Sequence, residues 1–486
     1  MHVLSLELST TSAKCILYGR AEGVLASVSR QYPKDVSDGL AHDANGVLEE
    51  AFEVLRWGAL EARTRGIKLK AIGLSGTWHS LLLLDGLDSP LGRVVTWADL
   101  TGAGAAAKAR ADGKAEGYYN RTGCVLHGMY PSWKLATMKS EGSAAHAAAS
   151  KAVTETEWIY GALTGEWAVS ACVASGGGLL NAHKLDWDEV ALTEAGITRS
   201  QLSPLTDIFH LGRLNEAAAL KSGLPTGLPV SVGGADGALN HLAVGGLDPG
   251  VMSMSVGTSG AMRRITPSPK LADRPSTWCY NATADRWLAG AAVNNATNCV
   301  DWLVTQMGGT AGSAEDYARL AAQASAIDRK DAPYFMPFLF GERCPGWRED
   351  RTGGFIGLKA RHGHGDMYYA VLEGIIFNMY QCYLLLKGLA GEPGRTVVSG
   401  GITNSPLWIQ MAADVFGIAL ETTGAQNDST VGAALVAIEA LEKTGRIEAP
   451  AVADPRTYRS DDATSGLLAA RFGRYLEYYG MLAPRG

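Results

Sequence analysis

The chain has 486 residues, enough for two or three domains with sizeable cores, which excludes a small disulfide-stapled module. Apolar residues make up 47% and charged residues 19%, ordinary values for a folded protein and far from the composition of a disordered one. A formal net charge of −6 leaves no surplus of cations for a polyphosphate backbone or an anionic bilayer, so nucleic-acid and membrane partners are set aside.

The 59 glycines sit in short clusters between apolar runs, the pattern of tight turns and close backbone approach. Seven scattered cysteines without a CxxC pair fit a reducing compartment. The chain enters an apolar strand directly after Met1-His2, and no uninterrupted apolar run reaches the ~18–20 residues of a membrane span. A cytoplasmic protein is expected.

In chain order, His2 to Leu8 alternates as a strand, Ser9-Thr10-Thr11-Ser12 is a polar turn, and Lys14 to Tyr18 is a second β-prone run. Strands are predicted at Leu69 to Leu74 and Ser80 to Leu84, around Ser75-Gly76, and helices at Ala103 to Ala111 and Ala144 to Lys151. The opening construction returns as Met252 to Val256, Gly257-Thr258-Ser259-Gly260 and Ala261 to Ile265. A repeat at half the chain length points to two related domains, and the turn cluster Asp248-Pro249-Gly250 is the natural boundary between residues 1–247 and 248–486. Later, Thr396 to Ser399 reads as a strand entering Gly400-Gly401, and helices follow at Pro406 to Phe416, Asp428 to Leu441 and Ser465 to Tyr479. Strands alternating with helices make this an α/β protein.

Two hydroxyl-rich hairpin turns, one opening each half, are suited to a polyphosphate: their backbone N–H groups form anion nests and Thr and Ser add donors. Neither matches the Walker pattern, and each alone is more often a plain hairpin turn; the recurrence at the start of both halves favours the phosphate reading. Gly233-Gly234-Ala235-Asp236-Gly237 sets one acid in a glycine cluster just before the boundary, where a carboxylate could take a proton from a substrate hydroxyl. Trp78 with His79, Trp97 with Asp99, and Glu342-Arg343 stand at predicted strand ends, where aromatic faces and polar donors suit a polyol. His362-Gly363-His364 alternates like a metal site but has no third ligand at a usable spacing, and reads as a surface loop.

At these segments the sequence resembles the FGGY family of carbohydrate kinases, within the actin, sugar kinase and Hsp70 superfamily. The stretches that carry the likeness are Ile72 to Ser80, Thr96-Trp-Ala-Asp, Trp187-Asp188, Gly233 to Gly237, Val256 to Gly260, Gly341 to Trp347, Leu372-Glu-Gly, Ser399-Gly-Gly and Val431-Gly-Ala-Ala, in family order over nearly the whole chain. Trp278-Cys-Tyr, Val293-Asn-Asn and Glu373 to Tyr380 look like the gluconate kinase branch, with xylulose kinases next. The resemblance implies two actin-like domains with a cleft between them, an N-terminal sugar-binding domain (1–247) and a C-terminal nucleotide-binding domain (248–486). It implies ATP and Mg²⁺ as cofactors and a small sugar or sugar acid as partner, and leaves a homodimer open. Asp236 is then the catalytic base, and Trp78, His79, Trp97 and Asp99 join it on the sugar. Thr10, Thr11 and Ser12 face the β and γ phosphates, Gly257, Thr258, Gly400, Gly401 and Asn404 lie on the nucleotide, and Glu7 serves the metal.

The sequence departs from the family pattern at several of these positions. Glu7-Leu8-Ser9-Thr10 stands where the family usually has Asp-x-Gly-Thr, and a serine at a site needing φ > 0 costs about 1–3 kcal/mol. Thr77 stands before the Trp-His pair, Thr101 replaces an arginine, Ser170 an aspartate, and Ala296-Thr297 a glycine pair. With Thr101 in place, His127 or Lys134 is the candidate donor for a substrate carboxylate. The reading is a gluconate kinase, with xylulose or another polyol-type sugar as the same-class alternative and a catalytically weak nucleotide-binding regulator as the different-class one.

Overall fold

The computed structural model describes residues 1–423, 428–447, 449 and 455–482. It opens with β1 (His2–Leu8), β2 (Ser12–Gly19) and β3 (Gly23–Gln31), followed by α1 (Ala44–Thr64) and β4 (Leu69–Gly76). After several short elements come α2 (Glu155–Thr164), β5 (Leu211–Arg213), β6 (Pro229–Ser231), β7 (Gly234–Ala235) and α3 (Asp236–Ala243). The second half holds β8 (Val251–Val256), β9 (Gly260–Thr266), β10 (Trp278–Thr283), β11 (Arg286–Val293), α4 (His364–Ala390), β12 (Arg395–Ser399), α5 (Pro406–Phe416) and β13 (Leu420–Thr422). It closes with α6 (Ser429–Glu442), β14 (Arg456–Tyr458) and α7 (Asp462–Met481).

The repeated hairpin is a repeated topology. The first sheet has the order β5-β6-β4-β1-β2-β3, so β1 lies between its antiparallel hairpin partner and the parallel β4. The later sheet contains the order β11-β9-β8-β12-β13-β14, with β8 between its antiparallel partner β9 and the parallel β12. Both turns therefore leave the end of a central strand, as the two-domain actin-like expectation requires.

The chain divides into two compact units, and the division is not a single cut. One unit comprises Met1–Asp248, Ile265–Leu288 and Gln426–Ala451; the other comprises Pro249–Arg264, Ala289–Ala425 and Val452–Gly486. The first crossing falls inside the Asp248-Pro249-Gly250 cluster, and α6, late in the chain, returns to the first unit.

β1 is buried on both faces for an identifiable reason. Leu4, Leu6 and Leu8 share one face and pack with Val47, Ala51, Phe52 and Leu55 of α1. Ser5 and Glu7 share the other, the side on which α6 packs against β1 and β4. Helices on both faces of the sheet explain why β1 is covered on its Ser5–Glu7 face as well as on its leucine face.

Several predicted elements coincide with the observed ones, among them Ala103–Ala111 and Pro406–Phe416. Pro406 opens the latter, Ser405 caps it and Gly417 ends it in the left-handed region. The predicted helix Ala144 to Lys151 stops at Ala148, because Lys151–Val153 is drawn into a strand that pairs with Leu82–Leu84. That pairing also trims the predicted strand Ser80 to Leu84. The histidine pair is not a simple loop either: His364 begins α4, and the His362 side chain is buried beside Asp331. α4 is long and apolar enough to cross a membrane, but most of it is buried inside the protein, as a core helix is.

Candidate functional site

The register of the first sheet assembles the acidic part of the site. Glu7 pairs with Ser75 across the parallel ladder, and Ser75 pairs in turn with Gly234 of β7. Asp236 follows two residues later as the first residue of α3, half-buried, where its carboxylate oxygen accepts from the Gly237 N–H at 2.7 Å. Gly233, at φ 95°, makes the turn into this strand; its carbonyl accepts from Ser170 Oγ at 2.7 Å. Ser170, the replacement for a family aspartate, thus steadies the loop that carries Asp236.

Glu7 faces α6, whose N-terminus comes from the far end of the sequence. Asp428 caps that helix, accepting from the Thr430 N–H at 3.1 Å and the Val431 N–H at 3.4 Å. Its other oxygen pairs with Lys14, the cross-strand neighbour of Glu7, while Ser429 Oγ donates to Glu7. Burial raises the Glu7 pKa to about 7; the Asp428 and Asp236 charges push the same way, against the Ser429 hydrogen bond and Lys14. Sequence reasoning missed Lys14, Asp428 as a site residue, and Ser429. The helix-capping pattern at Asp428 was the available signal, but it does not reveal what the cap lies against.

The Ser9 to Ser12 turn is closed by its own hydroxyls. Ser9 N–H donates to the Ser12 carbonyl at 2.9 Å, and Ser9 Oγ accepts from the Ser12 N–H at 3.1 Å. Ser9 has no positive φ, so the strain expected of a serine at a glycine position is absent. Thr10 is held at two points, its hydroxyl by Trp97 Nε1 at 2.9 Å and its carbonyl by Ser37 Oγ at 3.1 Å and His42 Nε2 at 3.0 Å. Thr11 is exposed.

Trp97 therefore braces the turn. Asp99 accepts from the Thr101 hydroxyl at 2.5 Å and the Thr101 N–H at 3.1 Å, with the Lys134 ammonium 3.8 Å away. Lys134 is fully buried and donates to the Thr96 carbonyl; burial lowers its pKa to about 8 although Asp99 opposes the shift. This lysine is occupied by its own neighbours, and His127 accepts from the Met129 N–H at 3.2 Å. Trp78 is 6% exposed, donates to the Cys172 carbonyl at 2.9 Å and packs edge-on against Trp278 and Tyr280. His79, at φ 70°, donates through Nδ1 to the Gly176 carbonyl at 2.6 Å and meets Tyr130 edge-on. Tyr130 and Tyr280 are joined through their hydroxyls at 2.7 Å, making one aromatic wall from distant segments.

The second unit carries the other turn. The Gly257 carbonyl accepts from the Thr297 N–H at 2.9 Å, and the Thr258 carbonyl from the Asn298 N–H at 3.5 Å. Gly400, at φ 90°, leaves β12 so close to β8 that a Cβ there would lie 2.5 Å from the Val256 carbonyl oxygen. A Cβ on Gly401 would meet Thr297 at 2.9 Å. Gly257, Thr258, Gly400 and Gly401 thus gather around the start of one short helix at Thr297, and Asn404 is exposed nearby in sequence. Thr297, where the family has a glycine, belongs to this group and sequence reasoning did not include it.

Two like-built sheets, each presenting a polar turn at the end of its central strand, define an α/β protein of the actin-like class. Family models place it more finely: the N-terminal domain of the FGGY family of carbohydrate kinases matches residues 2–243 and its C-terminal domain residues 252–441. The chain belongs to the FGGY family of carbohydrate kinases. It is 31% identical to the gluconokinase of Bacillus subtilis over 94% of this chain and 91% of that protein. It is also 28% identical to the xylulose kinase of Escherichia coli over 76% and 75% of the two chains. Among solved structures, gluconate kinase from Lactobacillus acidophilus matches with a TM-score of 0.91 and 27% identity, over 100% of this chain and 99% of that one. The protein is a carbohydrate kinase, a phosphotransferase acting on an alcohol group, and ATP is the phosphoryl donor of this family.

Proposed function

We propose that the protein transfers the γ-phosphoryl group of ATP to a hydroxyl of gluconate, with Asp236 as general base, in the cytoplasm. The observation that carries the assignment of roles is the charge arrangement in the first unit: Glu7 at the end of β1 and Asp236 just after β7 stand on either side of β4, and the Asp428 and Asp236 charges both act on the buried Glu7 carboxylate. The gluconate assignment is supported by the gluconokinase relative. Seven free, buried cysteines suit a reducing cytoplasm.

Asp236 would accept the proton of the attacking hydroxyl as the new P–O bond forms. The Thr10 to Ser12 turn would supply donors to the β and γ phosphates, holding charge that grows on the transferred group, and Gly257, Thr258, Gly400, Gly401 and Asn404 are assigned to the nucleotide. Trp78, His79 and Asp99 would border the sugar. Mg²⁺ fits the chemistry of the donor set, since Glu7 and Asp428 offer hard carboxylate oxygens and the Glu7 pKa is raised by burial and, in addition, by the Asp428 charge that a cation would offset. When bound, it supplies charge neutralisation at the β and γ phosphates.

One ground for the catalytically weak alternative, a strained Ser9, is absent. Xylulose keeps a specific argument: Lys134 is committed to Thr96 and Asp99, so the cations near the sugar side are few for a carboxylate substrate. A coupled ADP-release assay over sugars, polyols and sugar acids tests the reading. Gluconate is expected to give the highest kcat/KM; a tenfold preference for xylulose would overturn gluconate and leave the kinase intact.

A further inference from the structure

Beneath the first turn lies a charged pair that the proposed chemistry does not use. His42 and Glu155 are 0% and 1% exposed, and His42 Nδ1 lies 2.6 Å from Glu155 Oε1. The other ring nitrogen, Nε2, lies 3.0 Å from the Thr10 carbonyl oxygen. Both ring nitrogens therefore face acceptors, and only the imidazolium can donate to both. Glu155 is fixed at the first position of α2, where its N–H donates to Ser80 Oγ at 3.0 Å, and its second oxygen is buried without a hydrogen bond. A carboxylate so placed needs the positive charge of its one partner.

We infer that His42 and Glu155 are positioning residues: a buried imidazolium–carboxylate strut that holds the Thr10 to Ser12 turn in the shape that receives the donor phosphates. The inference rests on the proposed role of that turn. The strut ends on the Thr10 carbonyl, which Ser37 also holds, while Trp97 holds the hydroxyl of the same residue. Loss of one His42 proton leaves Nδ1–H on the carboxylate and turns a lone pair of Nε2 toward the Thr10 oxygen. Attraction then becomes repulsion at 3.0 Å, and the turn is released.

The charged and titratable groups around His42 set the pH of this event. Glu155 faces it from α2, Tyr32 edge-on with ring centroids 5.4 Å apart, and Arg93 from the strand beside it, bonded to the Ala41 and Val36 carbonyls at 2.9 and 3.2 Å. Asp43, next in sequence, is turned away to cap α1. Burial lowers the His42 pKa, but Glu155 and the Thr10 carbonyl outweigh burial and the charge of Arg93, and the pKa is raised above the ordinary 6.5. The strut is therefore complete below pH 6.5 and is lost as pH rises through the raised folded value.

The test is the pH dependence of KM for ATP and of kcat between pH 5.5 and 9.5 in wild type, Glu155→Gln and His42→Gln, with thermal melts as a folding control. In wild type, KM is expected to rise about tenfold across an alkaline limb, the loss of one charge-assisted hydrogen bond, while kcat changes little. Glu155→Gln should move that limb down by about one pH unit or more, because the opposite charge is gone. His42→Gln should show a raised, flat KM. An unmoved limb in Glu155→Gln, or a wild-type KM at pH 6 in His42→Gln, would overturn the strut. Should His42→Gln fail to fold, the Glu155→Gln limb decides alone. Calorimetric titration with ATP separates the two levels: ATP binding with an unmoved limb removes only the strut, whereas no ATP binding in wild type removes the proposed site as well.

Discussion

Gly432 is the point at which the structure makes its sharpest mechanical claim. It lies on α6 against α3, the helix that begins with Asp236, and a Cβ added there would sit 2.0 Å from the Leu239 carbonyl oxygen, 2.6 Å from its carbon and 2.8 Å from its Cα. Ordinary contact begins at 3.4 Å, and every obstructing atom is backbone, so one helix must withdraw by roughly 1.4 Å. α6 has little room to retreat, since a Cβ at Gly73 of β4 would already lie 2.3 Å from the Ala433 carbonyl oxygen. Overpacking of this kind costs about 1–3 kcal/mol or more, which for a unit of this size lowers Tm by roughly 2–5 °C. A displacement of about 1 Å at a catalytic group lowers kcat by up to about a hundredfold. Gly432→Ala is therefore expected to lose both stability and turnover, read by thermal denaturation and coupled ADP release. Gly473→Ala is the control: it lies within α7 with nothing within 4 Å of its Cβ, so it should hold or raise Tm, by up to about 1 kcal/mol. Wild-type Tm and kcat in Gly432→Ala, or equal damage in Gly473→Ala, would refute the close-packing argument.

Asp236→Asn keeps the shape but cannot accept a proton, so kcat should fall by about 10²–10⁴ while calorimetric affinities for ATP and sugar persist. Glu7, with its pKa raised to about 7, must be ionised to serve a cation, so the Mg²⁺ concentration for half-maximal activity should increase about tenfold per pH unit below 7. The raised pKa also means that the folded state holds this proton more tightly than the unfolded chain. Glu7 therefore subtracts stability as pH rises from about 4.5 to 7, and Glu7→Gln should melt higher at pH 8, by a gain on the order of 1–3 kcal/mol, while losing activity. Ser9→Gly, although it restores the family pattern, removes the hydroxyl that closes the turn and relieves no strain; lower activity and an unchanged or lower Tm are expected from the same assays.

Local chemistry determined what could be read from the sequence. The strand, turn, strand construction at His2 to Tyr18 and again at Met252 to Ile265 follows from alternation and turn residues within a few positions, and it led to two like-built sheets. Helical spacing from Pro406 to Phe416 and the polar cluster opening at Asp428 marked two helices for the same reason. Gly233 to Gly237 announced Asp236 because a glycine cluster around one acid is a local pattern. Only the tertiary structure decided what those pieces meet. Asp428 and Ser429 reach Lys14 and Glu7 across more than 400 residues, and the resulting burial, with like charge from Asp428 and Asp236, sets the Glu7 pKa. Lys134, read as a donor for a substrate carboxylate, is tied to the Thr96 carbonyl, and the Trp78 N–H is held by the Cys172 carbonyl. His42 and Glu155, 113 residues apart and unmarked by any motif, share one buried space under Thr10. Pairing energies between distant segments have no periodicity along the chain, and burial, on which each of these roles depends, exists only once the sheet and both of its covering helices are in place.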